Sequence, residues 1–201
     1  MSGRFFTITS QGTGEYKEKG SKFLAFAFHV KNEGEVKEKL SELRKKYYDA
    51  RHHCYAFSIG MENRITRAND DGEPNHSAGD PILGQIQSLE LTDVLVVVLR
   101  YFGGTKLGVG GLVTAYKMVA RHALDASSIM EIFPMVDLEL KFPYSQLGYV
   151  ERLLGDIGAD VGLRDFQTSC TIAFSLKKSD LKRIEQSIID FPTIDLIYDS
   201  Q

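Results

Sequence analysis

Residues 94–112 read VLVVVLRYFGGTKLGVGGL, which places a continuous apolar run directly before a glycine-rich segment. Residues 94–99 are apolar without alternation, which is typical of a strand that is covered on both faces in the middle of a sheet. After the glycines, apolar residues recur at helical spacing; they are Val109, Leu112, Val113, Tyr116, Val119, Ala120, Ala123 and Leu124. The stretch therefore predicts a central strand, a loop and a helix that packs on the sheet.

Five glycines occur within the nine residues 103–111, which is more than a turn requires. The free backbone amides at the start of the following helix favour an anion, with Thr105 and Lys106 as side-chain donors. The strict phosphate-binding patterns are not met, because Val109-Gly110 stands where a P-loop has Lys-Ser/Thr and Val113 stands where a dinucleotide motif has its last glycine. Two interpretations stay open: an anion site, or glycines that allow the helix to pack closely on the sheet.

The residues before this stretch indicate a mixed α/β unit. Residues 5–10 and 22–30 are predicted strands, joined by a polar segment that contains glycine. Asn32 is a predicted helix cap with Glu35 at the third helical position, and Asp80-Pro81 predicts the start of a second helix. The predicted buried stripes of these two helices are Val36, Leu40, Leu43 and Tyr47, and Ile82, Leu83, Ile86 and Leu89.

Ionisable side chains gather around a predicted strand pair, residues 52–59 and 64–68. The candidate pocket residues are His52, Asp70, Asp71, Glu73 and His76. Histidine and carboxylate suit zinc, but the adjacent His52 and His53 point to opposite faces of a strand, so at most one of them serves one site. The acidic positions of a calcium loop are also missing. The sequence therefore predicts no metal centre, and it indicates no cofactor.

A boundary is predicted near residues 133–134, since the residues beyond it have a complete pattern of their own. Residues 136–142 begin a strand–helix–strand–strand–helix–strand series, and residues 169–176 alternate between apolar and polar side chains. Such alternation indicates a sheet with one face under helices and one face exposed. The order βαββαβ predicts a ferredoxin-like plan, so the predicted domains are 1–133 and 135–201.

Composition and charge limit the classes of function for the 201 residues. The net charge of −3 is uneven, with 17 basic and 16 acidic side chains in residues 1–134, and 7 and 11 in residues 135–201. Neither half has the positive charge of a strongly electrostatic DNA-binding protein, so nucleic-acid contact requires a local patch. The longest apolar run, 94–99, is far shorter than the roughly 20 residues of a membrane span. With two cysteines only, we expect a cytoplasmic protein that contacts no membrane and has no disulfide.

Four motifs together resemble the signature of one known family. They are DGEP at 71–74, AGDPIL at 78–83, RYFGGTKLGVGGL at 100–112 and AY at 115–116. On these motifs the chain is identified as a member of the IMPACT/YigZ family, and the glycine-rich stretch is long enough to be specific. The resemblance covers roughly the first two thirds of the chain, and the remainder resembles the small domain of the bacterial YigZ-type members.

The resemblance carries expectations about fold and function. It implies a first domain like the second domain of ribosomal protein S5, and a second domain like the last, ferredoxin-like domain of elongation factor G. Eukaryotic relatives act as translational regulators, and for the bacterial type the resemblance suggests a role with nucleic acid or the ribosome. It implies no catalytic residue.

Three functions are compatible with these observations. The first is a translation regulator that binds RNA, the ribosome or a translation-associated partner through the first domain. Its candidate anion or nucleic-acid contacts are Arg64, Arg67, Arg100, Tyr101, Gly103, Gly104, Thr105, Lys106, Gly108, Gly110 and Gly111. The second is an enzyme that acts on a phosphorylated small molecule, with Asp70, Asp71 or Glu73 as acid or base. The third is a scaffold in which the glycine-rich loop serves packing alone.

Overall fold

The protein is represented by a computed structural model that describes residues 4–166 and 169–198. The fold is mixed α/β with several sheets and helices, as the sequence predicts. It divides into two compact units, one spanning Arg4–Ile132 and one that begins at Phe133. None of the helices in the described ranges combines the length and the apolar character that a membrane crossing requires.

The first unit contains a main sheet, a short two-stranded ribbon and three helices. In chain order its elements are β1 (Phe5–Ile8), β2 (Gly12–Glu18), β3 (Ser21–His29), α1 (Glu33–Lys46), β4 (His52–Ile59), β5 (Ile65–Asn69), α2 (Gly79–Ser88), β6 (Val94–Tyr101), α3 (Gly108–Asp125) and β7 (Ile129–Ile132). The main sheet is antiparallel in the order β2-β3-β6-β4-β5, and the ribbon pairs β1 with β7.

Strand β6 lies in the middle of the main sheet, which confirms the interpretation of the apolar run. Its alternate residues serve two separate cores. Val94, Val96 and Val98 pack with α2 and α3 on one face, whereas residues at the odd positions 95, 97 and 99 pack with α1 on the other. A strand that is covered in this way on both faces has no solvent-facing position, so its sequence does not alternate.

The start of α1 confirms the predicted cap. The Asn32 side-chain oxygen accepts a hydrogen bond from the backbone N–H of Glu35 at 3.0 Å, and Glu35 accepts the backbone N–H of Lys31 at 2.8 Å. These bonds satisfy amide donors that have no partner within the helix.

The start of α2 differs from the prediction. The helix begins at Gly79, and Asp80 lies inside its first turn, where its carboxylate contacts His76 at 2.6 Å. The capping carboxylate comes from Asp70, which accepts the backbone N–H groups of Ala78 and Gly79 at 2.9 and 2.8 Å. The predicted helix is therefore present and begins before Asp80, but Asp80 is not its cap, because a carboxylate that is distant in sequence satisfies the free amides.

Residues 12–18 form a strand where the sequence indicated a polar connection. This strand lies at the edge of the sheet, beside α3. A Cβ atom on Gly12 would lie 1.9 Å from the carbonyl oxygen of Ala123, and a Cβ atom on Gly14 would lie 2.7 Å from that of Val119. These two glycines therefore allow the backbone of α3 to approach the strand closely.

The second unit follows the βαββαβ order and forms one antiparallel sheet. Its main elements are β8 (Met135–Phe142), α4 (Leu147–Asp156), β9 (Asp160–Phe166), β10 (Cys170–Lys177), α5 (Leu181–Ile188) and β11 (Asp195–Ile197). The strand order is β11-β8-β10-β9. The alternation predicted for β10 is confirmed, with Cys170, Ile172, Phe174 and Leu176 buried in the core of this unit.

Candidate functional site

Phe23, Arg100 and His52 lie side by side on three neighbouring strands of the main sheet, close to the glycine-rich loop. Arg100 on β6 pairs in register with Phe23 on β3 and with His52 on β4. Since Val98 lies two residues earlier on the same strand, Arg100 shares the face that α2 and α3 cover. The guanidinium lies 5.6 Å from the centre of the Phe23 ring and 5.7 Å from that of Phe102.

Arg100 belongs to a buried chain of hydrogen bonds. Its Nη1 donates to Oε1 of Glu73 at 2.6 Å, and the Tyr116 hydroxyl donates to the same oxygen at 2.9 Å. Only 7% of the Arg100 side chain and 4% of the Glu73 side chain are exposed. A buried charge pair of this kind holds both side chains in place, because either one alone would be an uncompensated charge in the core.

Cys54 closes this chain and is no nucleophile in its present environment. Its sulfur lies 3.3 Å from the Tyr116 hydroxyl and 2.9 Å from the carbonyl oxygen of Asp70. Burial, reinforced by the neighbouring Glu73, Asp71 and Asp70, raises the pKa of the Cys54 thiol, so the thiolate does not form near neutral pH. Burial likewise raises the pKa of Tyr116, with Cys54 and Glu73 adding to the effect.

Asp70 and Asp71, two of the proposed acid or base residues, accept hydrogen bonds that stabilise the loop after β5. Asp70 accepts the backbone N–H of His76 at 2.9 Å in addition to its two bonds to α2. Partial burial alone would raise the pKa of Asp70, but the three backbone donors outweigh burial and hold the pKa below its usual value. Asp71 accepts the backbone N–H of His53 at 2.6 Å and an Arg44 N–H at 3.0 Å.

Of the candidate pocket residues, His52 and Glu73 face a common space. His52 Nδ1 lies 2.8 Å from the carbonyl oxygen of Asp71, which only accepts, so this nitrogen carries the hydrogen. His52 Nε2 then lies 3.9 Å from Oε1 of Glu73. His76 is exposed and pairs with Asp80, and it lies outside the lining of this space. Its side chain contributes nothing to the pocket.

A cleft of about 470 Å³ opens where these elements meet the start of α3. We call it the α3 cleft, and its lining consists of Arg51, His52, Glu73, Pro74, Arg100, Phe102, Lys106, Leu107, Gly108, Val109 and Leu112. Arg100 and Glu73 are buried, so they form its base, while Lys106 and Val109 are exposed and form its rim. Its lining thus contains three positive side chains, those of Arg51, Arg100 and Lys106, and one carboxylate, that of Glu73.

The first turn of α3 contributes backbone donors to the same cleft. Leu107 precedes the helix and offers no side-chain hydrogen bond to its free amides. Added Cβ atoms on Gly108 and Gly110 would meet no atom within 4 Å, so these glycines face open space. No side chain caps the amides at the start of this 18-residue helix, and the helix dipole adds partial positive charge there.

Other glycines of the loop serve the chain itself. A Cβ atom on Gly103 would lie 1.8 Å from the carbonyl carbon of Gly20, so the two backbones touch at this point. Gly104 has a φ of +85°, a conformation that side chains other than glycine rarely adopt. The glycines thus differ in role: Gly103 packs against the backbone, Gly104 and Gly108 have a positive φ, and Gly110 has open space where a Cβ atom would lie.

The structure does not bring all four candidate cations to one surface. Arg67 pairs with Glu33 at 3.3 Å and lies over Phe57 on the α1 face of the sheet. Arg64 directly precedes β5 and is exposed. It lies near the end of β4 that is farther from His52. Arg100 and Lys106 are therefore the two candidate cations that line the α3 cleft.

The remaining candidates of the loop lie beside the cleft. Tyr101 lies on the α1 face, where its hydroxyl donates to Asp49 at 3.1 Å, so its ring is not available to the cleft. Gly103, Gly104 and Thr105 are exposed but are not part of the lining, and Gly111 lies against the Leu107 side chain. Among the residues that the structure describes, no three His, Cys, Asp or Glu side chains are grouped to hold a metal ion.

Arg51 and Tyr116 were not among the site residues predicted from the sequence. Arg51 directly precedes His52, and its guanidinium lies 5.9 Å from the ring centre of Phe102 in the cleft. Tyr116 was assigned to the core by helical spacing, which is correct, but its hydroxyl also orients Glu73. The sequence indicated this role only through the presence of a tyrosine in an apolar helical stripe, because a buried hydroxyl needs a hydrogen-bond partner.

Comparison with known proteins gives clear matches. The Impact N-terminal domain family matches residues 19–124. The IMPACT family member YvyE of Bacillus subtilis (strain 168) is 36% identical over 150 residues, which is 75% of this chain and 69% of that protein. The IMPACT family member YigZ of Escherichia coli (strain K12) is 31% identical over 175 residues, or 86% of each chain.

Two solved structures are similar to this chain. One, described as the crystal structure of a hypothetical protein, is 26% identical and covers 100% of both chains with a TM-score of 0.70. The other is the two-domain translational regulator Yih1, which is 26% identical over 63% of this chain and 48% of its own, with a TM-score of 0.36.

Proposed function

Because the chain belongs to the IMPACT family, we propose that it is a translation regulator that binds RNA through its first unit. Yih1, which is similar to part of this chain, is described as a translational regulator. The observation that carries the proposal is the α3 cleft, where Arg51, Arg100 and Lys106 meet the free amides of a helix. RNA is an anionic partner that such a local patch can bind although the unit as a whole is nearly neutral.

An aromatic side chain beside the cations supports RNA in particular. Phe102 lines the α3 cleft with 42% of its surface exposed, and the guanidinium groups of Arg51 and Arg100 lie over its ring. Unpaired RNA bases stack on aromatic rings and on guanidinium planes, while basic side chains contact the phosphates. Phe102, Arg51 and Lys106 provide both kinds of contact within one cleft.

The architecture adds support through analogy of fold. We assign the first unit to the fold of the second domain of ribosomal protein S5. The second unit, with its βαββαβ order and the sheet order β11-β8-β10-β9, is assigned to the ferredoxin-like fold. Both folds occur in proteins of the translation machinery, and we propose a cytoplasmic location away from membranes for this regulator; the analogy by itself assigns no site.

Replacing Lys106 with alanine tests the proposed function directly. We expect the dissociation constant for single-stranded RNA to rise by a factor of about 5–50, and the slope of log affinity against log salt to flatten by about 1. The free energy of unfolding should change by less than about 0.5 kcal/mol, because Lys106 is exposed. Fluorescence anisotropy at several salt concentrations and chemical unfolding measure the two effects.

Lys117→Ala is the matched control for this experiment. Lys117 is an exposed lysine on α3, about 13 Å along the helix from Gly108. The Lys117→Ala substitution removes the same charge as Lys106→Ala, but outside the cleft, and should leave the affinity for RNA nearly unchanged. Equal losses in the two variants would mean that overall charge, and not the α3 cleft, determines binding.

A further prediction concerns the two units. We propose that residues 1–133 and 135–201 fold separately, since each described unit has its own core. An expressed fragment 135–201 should show a helix signal in circular dichroism and one cooperative unfolding transition. A fragment that unfolds without cooperativity would contradict this proposal.

One observation favours a second function, an enzyme that acts on a phosphorylated small molecule. Glu73 and His52 approach each other at the base of the cleft, and a carboxylate and an imidazole are the usual groups for proton transfer. The RNA-binding assay separates the two functions. An enzyme would alter the mononucleotide or oligonucleotide that it binds, whereas a regulator would release it unchanged.

A further inference from the structure

We propose that the α3 cleft binds a terminal phosphate, that is, a phosphomonoester at the end of an RNA strand or on a mononucleotide. The inference rests on the anion-binding cleft of the proposed function and specifies its ligand. It distinguishes a phosphate with one ester bond from the phosphodiesters that link nucleotides within a strand. Three observations support it, namely the base of the cleft, the balance of charge and the unsatisfied donors.

The cleft has a base, so a group enters it from one side. Its base is formed by Arg100 and Glu73, which are 6% and 8% exposed. Glu73 accepts hydrogen bonds from both Arg100 and Tyr116. A volume of about 470 Å³ is in the usual range for a small-molecule pocket. A phosphodiester within a strand needs room for the chain on both of its sides. A space of this size accommodates the end of a strand or a single nucleotide.

The charge of the lining matches a dianion. Arg51, Arg100 and Lys106 carry three positive charges, and Glu73 carries one negative charge. These four side chains give the lining an excess of two positive charges, before the partial charge of the α3 amides is added. A phosphomonoester carries between −1.5 and −2 charges near pH 7, whereas a phosphodiester carries only one. A phosphomonoester therefore neutralises the cleft more completely.

Hydrogen-bond donors in the cleft remain unsatisfied. Arg100 uses Nη1 for Glu73, while its Nε is buried and has no partner among the residues that the structure describes. A buried donor without a partner costs free energy, and an anion beside the guanidinium offsets that cost through charge. The amides of Gly108, Val109 and Gly110 are the second set of donors, because no side chain caps this end of α3.

A glycine in the first turn of α3 is not required by packing. Gly110 lies in the first turn of α3, where alanine would favour the helix and would meet no other atom. Packing of the described chain therefore does not require glycine there. Gly108, by contrast, has a φ of +73°, so backbone conformation accounts for glycine at that position.

The inference is tested by comparing three forms of one short single-stranded RNA with a dye inside the strand. One form has a 5′-phosphate, one a 3′-phosphate, and one has hydroxyls at both ends. We expect at least one of the phosphorylated forms to bind about tenfold more tightly than the hydroxyl form. Adenosine monophosphate should compete with the RNA for the cleft, and adenosine should not.

The Lys106→Ala variant should lose most of this discrimination, since Lys106 is an exposed cation of the lining, whereas Lys117→Ala should retain it. The ratio of the affinities for phosphorylated and hydroxyl RNA is the readout, and a general loss of stability does not change this ratio selectively. Equal affinity for all three RNA forms overturns the inference and leaves RNA binding intact. Binding of adenosine monophosphate without binding of RNA overturns the proposed function and leaves the terminal-phosphate site intact.

Discussion

Replacing Arg100 with methionine is expected to lower the free energy of unfolding of the first unit by about 3–5 kcal/mol. The substitution removes one partner of a buried ion pair and leaves the Glu73 carboxylate among Phe23, Tyr116 and the surrounding core. Methionine retains much of the volume of arginine, so loss of the charge dominates over loss of packing. Urea unfolding followed by circular dichroism measures the change.

Arg67→Met is the matched control, because Arg67 also forms an ion pair with a glutamate. The Arg67–Glu33 pair spans 3.3 Å, but 57% and 41% of the two side chains are exposed to water. Its loss should cost less than about 1 kcal/mol, since water replaces the partner. The double variant Arg100→Met with Glu73→Gln should be more stable than Arg100→Met alone. If Arg100→Met and Arg67→Met are equally mild, the buried pair does not hold the core in place.

Replacing Gly103 with alanine is expected to destabilise the first unit by about 3 kcal/mol or more. The new Cβ atom would lie 1.8 Å from the carbonyl carbon of Gly20 and 2.2 Å from the backbone nitrogen of Ser21. Both obstacles are backbone atoms, which cannot rotate away as a flexible side chain does. The loop must shift, or β3 and β6 must separate locally; thermal or urea unfolding reports the cost.

Gly110→Ala is the control for Gly103→Ala and should have the opposite sign. No atom lies within 4 Å of the new Cβ atom, and alanine stabilises a helix by up to about 1 kcal/mol relative to glycine. We therefore expect the free energy of unfolding of Gly110→Ala to be equal to or higher than that of the unsubstituted protein. Strong destabilisation by both variants would show that the glycines serve packing throughout, as the scaffold hypothesis assumed.

The sequence alone determined the features of the fold that depend on local pattern. Residues 94–99 predicted a central strand because a strand that is buried on both faces cannot contain polar positions. Asn32 and Glu35 predicted a cap because both partners lie within one turn. By contrast, β2 was missed because its alternating charged residues and glycines resemble a loop. Its identity as a strand depends on pairing with β3 and on the close approach of α3.

At the candidate site too, the sequence determined some features and the tertiary structure determined others. The glycine motif located the loop, since five glycines in nine residues are conspicuous in any chain. Which cations share a face was decided only by tertiary structure. Arg100 lies beside His52 because β6 and β4 pair in that register, whereas the register of β5 places Arg67 opposite Phe57 on the other face of the sheet. A shift of one residue in either pairing would reverse the face of every side chain, and register is set by packing between elements that are distant in sequence.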